Sequence, residues 1–250
     1  MKLDTLPTAD RPPPFPLVHN RLLAALPADE YARIAATLDV IPLTLKDFLH
    51  TPGDPIQYVY FPGGGFVSMV TVLADGRMVE IATVGREGMV GVSAMWGDIR
   101  TTSATMVQGE TETCYRMAVD DFRREIQRHG RFAALTASFS QALFGFVAQS
   151  TACNAVHSVE QRLARWLLMA SDRMESDAFP LTQEFAAMML GATRPTVTVV
   201  AGALQKAGLI RYHRGRITIL DRDQLQRTSC ECYAAVTASL LAVTAGSSSP

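Results

Sequence analysis

The stretch Leu181–Leu220, LTQEFAAMMLGATRPTVTVVAGALQKAGLIRYHRGRITIL, constrains the fold more than any other part of the 250 residues. Thr182 stands where a helix N-cap belongs, ahead of Phe185, Met188 and Met189 at helical spacing. Gly191 breaks that helix. Thr193 or Arg194 caps a second one, and Pro195 falls in its first turn, where a missing N–H costs nothing. Val197, Val200, Ala201 and Leu204 supply its inward stripe, and Gly208 ends it. Ile210 and Ile217–Leu220 then read as two apolar strands flanking Arg211, His213, Arg214, Gly215 and Arg216. Two short helices across a glycine turn, followed by a basic hairpin, are the plan of a winged helix-turn-helix.

The outer face of the second helix carries Arg194, Pro195, Thr198, Val199, Gly202 and Gln205. These are small or hydrogen-bonding groups rather than the Glu/Lys mixture of a solvated helix, so the face suits a major groove. From Leu181 to Arg227 the bases are Arg194, Lys206, Arg211, Arg214, Arg216, Arg222 and Arg227, against Glu184, Asp221 and Asp223, in a chain of net charge −1. Positive charge is therefore concentrated where phosphates would lie. The expected DNA contacts are Thr182, Thr193, Arg194, Pro195, Thr196, Thr198, Val199, Arg214 and Arg216, with Arg194 on guanine, Val199 on a thymine methyl, and Thr193, Thr196, Arg214 and Arg216 on phosphates. A small helical domain with an incidental basic loop is the competing reading.

Upstream, Leu43–Met117 is rich in Val, Ile, Thr, Phe and Tyr with Gly and Pro every several residues, the pattern of a small sandwich or barrel. Asp75-Gly76 between Ser68–Leu73 and Met78–Val84 signals a hairpin. Val84-Gly85-Arg86-Glu87-Gly88 reads as a turn. From Val119 to Val156 there is no Pro and only Gly130 and Gly145, so a long helix is expected. Phe132, Leu135, Phe139, Ala142, Phe146, Gln149, Cys153 and Val156 recur at alternating three- and four-residue steps along it. That seam is expected to pair with a second copy, with Gln149 setting register; packing on the chain's own barrel is the alternative.

The run Leu181–Glu184, Gly191, Arg194–Val197 and Gly208–Ile210 resembles the C-terminal domain of the CRP/FNR family of bacterial transcription regulators, and YVYFPGGGFVSMV with VGREGMVG resembles the jelly-roll sensor of the same family. The resemblance implies an α+β chain: an N-terminal cyclic-nucleotide-binding-like jelly-roll β-barrel over 19–118, a dimerisation helix over 119–156, and a winged helix-turn-helix over 157–227. Outside these lie a Pro-rich arm over 1–18 and a C-terminal helix and tail over 228–250, with Leu225 to Val243 helical. The implied function is sequence-specific regulation of transcription by a homodimer on an inverted repeat of double-stranded DNA, with RNA polymerase a further partner. The best-known members place an acidic residue after the recognition arginine and a second arginine further along, where this chain has Pro195 and Val199.

Cofactor expectations follow from the same resemblance. Members that bind cyclic nucleotide have a Gly-Glu pair and then an Arg followed by Ser or Thr; here Val92 follows Gly91, and Arg100-Thr101-Thr102 comes after a shorter spacing, so the cassette is half present. Gly91, Arg100, Thr101 and Thr102 are the candidate ligand residues. Iron–sulfur members use N-terminal cysteines, and residues 1–113 contain none. The cysteines Cys114, Cys153, Cys230 and Cys232 lack disulfide-framework or zinc-ribbon spacing, and on a helix Cys230 and Cys232 would point apart, so no metal site is expected. His19, His50, His129, His157 and His213 are scattered, and no nucleophile elbow, P-loop or dinucleotide fingerprint occurs, which argues against an enzyme. The N-terminus has no apolar core after Lys2, and no stretch approaches eighteen uninterrupted apolar residues, so a cytoplasmic protein without membrane contact is expected. A signalling protein that binds a small ligand or cyclic nucleotide and uses its winged helix for protein contacts is the alternative function.

Overall fold

The computed structural model describes residues 18–97 and 100–245. The expected arm over 1–18 lies, apart from Val18, outside them, as do Asp98, Ile99 and the tail 246–250. Two short helices, α1 (Arg21–Ala24) and α2 (Ala28–Ala35), lead into seven strands, β1 (Leu38–Leu43), β2 (Phe48–His50), β3 (Tyr58–Pro62), β4 (Phe66–Val72), β5 (Met78–Val84), β6 (Ala104–Gly109) and β7 (Thr111–Ala118). They form two antiparallel sheets, ordered β1-β7-β3 and β2-β6-β4-β5. Val59, Phe61, Val67, Val70, Val84, Val107 and Met117 fill the space between them. The Asp75-Gly76 signal falls in the β4–β5 hairpin, where Gly76 has φ 83°. Asn20 is fully buried yet satisfied: Oδ1 accepts from the N–H groups of Leu22 and Leu23, and Nδ2 donates to the Pro62 and Gly88 carbonyls, tying α1 to the barrel. At Gly65, φ is 59° and an added Cβ would lie 2.1 Å from the Gly109 carbonyl oxygen, so only glycine fits this crossing.

The long helix expected over Val119–Val156 is two helices. α3 (Val119–Gln127) stops before His129, at φ 53°, and α4 (Arg131–Val156) begins after Gly130. The break is stabilised from α2: the Glu30 carboxylate accepts from the N–H groups of Arg131 (2.8 Å) and Phe132 (3.0 Å), a charged cap at a helix N-terminus. α4 is the one helix among the described residues long and apolar enough to cross a bilayer. Most of its large side chains, though not Phe144 or Val156, are instead buried inside the chain. Phe132, Leu135, Phe139, Ala142, Phe146 and Cys153 are all buried in the single protomer, Phe132 packs on Phe61 and Phe122, and Phe139 fits against Gly88 so closely that a Cβ there would lie 2.2 Å from its ring. The seam assigned to dimerisation therefore faces the protomer's own core. Gln149 donates to the Cys232 sulfur rather than meeting a copy of itself, and Val156 is exposed.

After α5 (Val159–Met174) come β8 (Ala178–Pro180), α6 (Gln183–Leu190), α7 (Arg194–Lys206), β9 (Ile210–His213), β10 (Arg216–Ile219), α8 (Arg222–Thr228) and α9 (Cys232–Ala245). A continuous helix from Leu225 to Val243 does not form. Thr228 and Ser229 turn their hydroxyls back onto the Gln224 and Gln226 carbonyls, Ser229 is extended, and α9 restarts at Cys232 and runs along α4.

The C-terminal half is keyed to the barrel at two buried polar contacts. Trp166 of α5 lies among Phe66, Phe179 and Phe185, and its Nε1–H donates to Glu80 of β5 at 3.0 Å while Ser68 donates to the other oxygen. Arg173 of α5 donates to Glu87, in the turn after β5, at 2.7 Å from Nη2 and 3.0 Å from Nε. Burial raises the Glu80 carboxyl from 4.5 to about 7, more than the hydrogen bonds from Ser68 and Trp166 lower it. The native state thus holds a proton that the unfolded chain releases, so this group contributes stability below 4.5 that is lost as pH climbs to about 7. Over pH 5 to 8 the loss amounts to about 2–3 kcal/mol. Glu80→Gln removes that slope, seen as a shrinking difference between wild type and variant when urea unfolding is repeated from pH 8 down to pH 5; parallel curves would show that Glu80 does not titrate in this window.

Candidate DNA interface and sensor cavity

Helices α6 and α7 cross at 106° about Gly191, whose φ of 58° makes the left-handed turn. Each starts on a threonine cap: Thr182 Oγ1 accepts from Phe185 N and Thr193 Oγ1 from Thr196 N. Val197, Ala201 and Leu204 bury the inner face of α7, and Val200 is half-buried. Arg194, Pro195, Thr196, Thr198 and Val199 are exposed, Val199 at 72 %.

Sequence reasoning missed several ties around this face. Arg194 Nε donates to Glu184 of α6 at 2.9 Å, with both side chains more than 60 % exposed, so the pair is weak and can open. Thr198 donates to Gln183 (2.8 Å), and Gln205 accepts the Tyr212 N–H (2.7 Å), which locks α7 to the wing and takes Gln205 away from base contact. Tyr212 in turn donates to the Leu181 carbonyl. β9 and β10 turn through Arg214 (φ 47°) and Gly215 (φ 74°), a two-residue turn with both residues left-handed, and β8 completes the sheet. Arg211, His213, Arg214 and Arg216 are exposed along this hairpin, beside the start of α7.

The four candidate ligand residues line one cavity of about 360 Å³ between the barrel and α4. Gly91 (φ 88°), Arg100, Thr101, Thr102 and Ser103 form one wall, and Ser140, Leu143, Phe144 and Val147 of α4 the other. Its size falls in the lower part of the small-molecule range, about 300–1,000 Å³. Arg100 Nη1 donates to the Gly53 carbonyl, which holds its guanidinium at the rim. The buried Thr105 hydroxyl, also on this lining, has no hydrogen-bond partner among the described residues. Burial pushes the His50 imidazole below its ordinary value, so the ring is neutral and its Nε2–H donates to the Tyr58 carbonyl at 2.9 Å. Val92 is buried, so no carboxylate follows Gly91 here.

The β4–β5 hairpin carries the barrel to the helix-turn-helix. It packs on α6, and Val79 lies 3.4 Å from where a Gly191 Cβ would be, against the turn itself. The scattered histidines and cysteines are not all isolated either: Cys153 and His157 at the end of α4 meet Cys230 and Cys232 at the start of α9.

Two family models match the chain, a cyclic nucleotide-binding domain over residues 42–129 and a Crp-like helix-turn-helix domain over residues 161–228. No curated protein matched at the level of sequence. Among solved structures, a putative CRP/FNR-family transcriptional regulator from Eubacterium rectale superposes with TM-score 0.65 at 20 % identity, over 84 % of this chain and 99 % of that one. FixK2 from Bradyrhizobium japonicum gives TM-score 0.64 at 16 % identity over 77 % and 98 %. The c-di-GMP responsive global regulator CLP from Xanthomonas campestris gives 0.63 at 17 % over 77 % and 99 %. A cyclic nucleotide-binding barrel joined by a long helix to a Crp-like helix-turn-helix places this chain in the CRP/FNR family of DNA-binding transcription regulators, a family of regulators and not of enzymes.

Proposed function

We propose that the protein works in the cytoplasm as a homodimer that reads an inverted-repeat operator, with its DNA affinity set by what occupies the barrel cavity. The observation that carries this reading is a second seam on α4. Ala134, Ala137, Gln141, Phe144, Ala148, Thr151 and Ala155 recur at the same three- and four-residue steps as the buried seam, displaced by two residues and so on the opposite side. All seven are exposed, Phe144 at 77 %, and α4 carries no charged residue after Arg131. An uncharged stripe of small residues around one aromatic lets two helices approach closely about a two-fold axis. A dimer of this kind sets its two recognition helices one duplex turn apart, roughly 34–36 Å.

On each half-site Arg194 leaves Glu184 and donates to guanine O6 and N7, Val199 meets a thymine methyl, and Pro195 and Thr198 border the same bases. Thr182 accepts a backbone N–H as a cap and keeps its hydroxyl proton for a phosphate oxygen; Thr193 and Thr196 share one hydroxyl–hydroxyl hydrogen bond of 2.8 Å, which leaves one proton of the pair for a second phosphate, alongside Arg214 and Arg216. Phe144 belongs both to the second seam and to the cavity wall, so a small ligand with an anionic group toward Arg100 and an apolar part against Leu143 and Val147 would touch the dimer contact itself. Movement of α4 then reaches the winged domains through α5 and the β4–β5 hairpin.

Arg194→Ala is the direct test of base reading. It is expected to weaken operator binding by about 1–3 kcal/mol and to relax the preference at one base position per half-site. Measured across a panel of single-base operator variants, a uniform loss at every variant would make Arg194 a phosphate contact instead.

A further inference from the structure

The end of α4 and the start of α9 bring together three thiols and an imidazole that are far apart in sequence. The ligand atoms of Cys153, His157, Cys230 and Cys232 all lie within 4.8 Å of one another. Cys153 Sγ is 3.5 Å from Cys230 Sγ, and Cys232 Sγ is 3.6 Å from His157 Nδ1. A tetrahedral zinc ion with bonds of about 2.3 Å to sulfur and 2.0–2.1 Å to nitrogen has edges of about 3.8 Å between sulfurs and about 3.6 Å between sulfur and nitrogen. We propose that Cys153, His157, Cys230 and Cys232 form a closed, structural site for one soft divalent metal ion of the zinc class, which fastens α9 to the joint between α4 and the DNA-binding domain.

The surroundings fit that ion independently of the four ligands. His157 presents Nδ1 to the cluster while its Nε2 lies 3.3 Å from the Glu231 carboxylate, the arrangement that orients a metal-bound imidazole. Gln149 Nε2 donates to Cys232 Sγ at 3.0 Å, as a donor to a bound thiolate would. Three thiolates, a neutral imidazole and a divalent cation carry a net charge of −1. Arg165 is buried, acts electrostatically on Cys153, and has no hydrogen-bond partner for Nε or Nη1 among the described residues, so it supplies a balancing charge without competing for the sulfurs. Four protein ligands and three buried thiols leave no open position, which makes the site structural rather than catalytic. The expectation from sequence, that Cys230 and Cys232 point apart, assumed a helix through both. Cys230 sits in the break before α9, and the i, i+4 pair Cys153 and His157 supplies the other two ligands. The placement gives the ion a consequence: His157 ends α4, Ser158 caps α5, and an ion here fixes the angle at which the long helix hands over to the DNA-binding domain.

The test uses the full chain, purified under reducing conditions without added metal and then loaded with zinc or cobalt(II). One equivalent of zinc per chain by elemental analysis, with a cobalt spectrum showing intense tetrahedral d–d bands and thiolate-to-cobalt charge transfer, is the expected result. Cys232→Ser is expected to abolish the charge-transfer intensity of a stoichiometric site. Glu231→Gln alters a side chain 77 % exposed and outside the core, and is expected to lower metal affinity about 10–100-fold with the fold intact. Because wild type and the Glu231 variant both remain folded, the outcome does not hang on the cysteine variant. Reduced wild type that binds less than a tenth of an equivalent of zinc, or that gives only a weak octahedral cobalt spectrum, would overturn the proposal. So would a Cys153–Cys230 disulfide found by mass spectrometry in protein isolated without oxidant.

Discussion

Phe144→Asp is expected to convert the dimer to a monomer and to lower operator affinity at least about 100-fold. Phe144 stands near the middle of the exposed α4 seam, and two-fold symmetry doubles every change made there. Burying a phenylalanine side chain is worth about 1.5–3 kcal/mol, so two copies contribute about 3–6 kcal/mol to association, and a pair of facing carboxylates adds repulsion. A loss of about 3 kcal/mol already corresponds to roughly 100-fold. Sedimentation velocity at micromolar concentration reads the assembly, and circular dichroism checks that the helices persist. Since Phe144 also lines the barrel cavity, Ala148→Asp, at the next seam position and off the cavity lining, is expected to dissociate the chain in the same way. If both variants stay dimeric with wild-type affinity, the seam is not the subunit contact.

Glu87→Ala is expected to destabilise the fold by about 3–5 kcal/mol, the cost of leaving a buried guanidinium without its counter-charge. The Arg173 and Glu87 side chains are only 7 % and 11 % exposed, and Glu87 also accepts the Gly85 N–H, so little water reaches the charge that remains. Replacing both residues, Glu87→Ala with Arg173→Met, is expected to recover most of the loss, because a large part of it belongs to the stranded charge rather than to the pair. Urea unfolding of the two single variants and the double variant decides this. A single-variant effect below about 1 kcal/mol would mean that the junction between barrel and α5 admits water.

The helix-turn-helix was legible because its signals are local. Thr182, Thr193, Pro195, Gly191 and Gly208 each perform one backbone task within a few residues, and the structure puts them at the caps and turns those tasks require. The barrel was legible for the same reason, through Asp75-Gly76 and the short strands around it. The direction of the α4 seam was not. A heptad of Phe and Leu states that a helix has an apolar side, and says nothing of whether a barrel or another copy lies against it. The side left exposed is built from Ala, Gln and Thr around Phe144, residues whose value lies in letting helices approach rather than in hydrophobicity, so periodicity of large apolar side chains passes over it. The Cys–His cluster was hidden by distance and by one wrong helix. Cys153 and Cys230 are 77 positions apart, and a continuous helix over Leu225–Val243 would have turned Cys230 and Cys232 away from each other. The candidate residues Gly91, Arg100, Thr101 and Thr102 lie together on one cavity, whereas its second wall, from α4, follows only from tertiary packing.

Selection of a random duplex library by the full-length protein, followed by sequencing of the bound fraction, reads directly whether the protein recognises a symmetric operator. A dimer with recognition helices one turn apart is expected to enrich a two-fold symmetric motif whose half-site centres lie about 10–10.5 base pairs apart. Enrichment of a single asymmetric half-site by the folded, dimeric protein would contradict it.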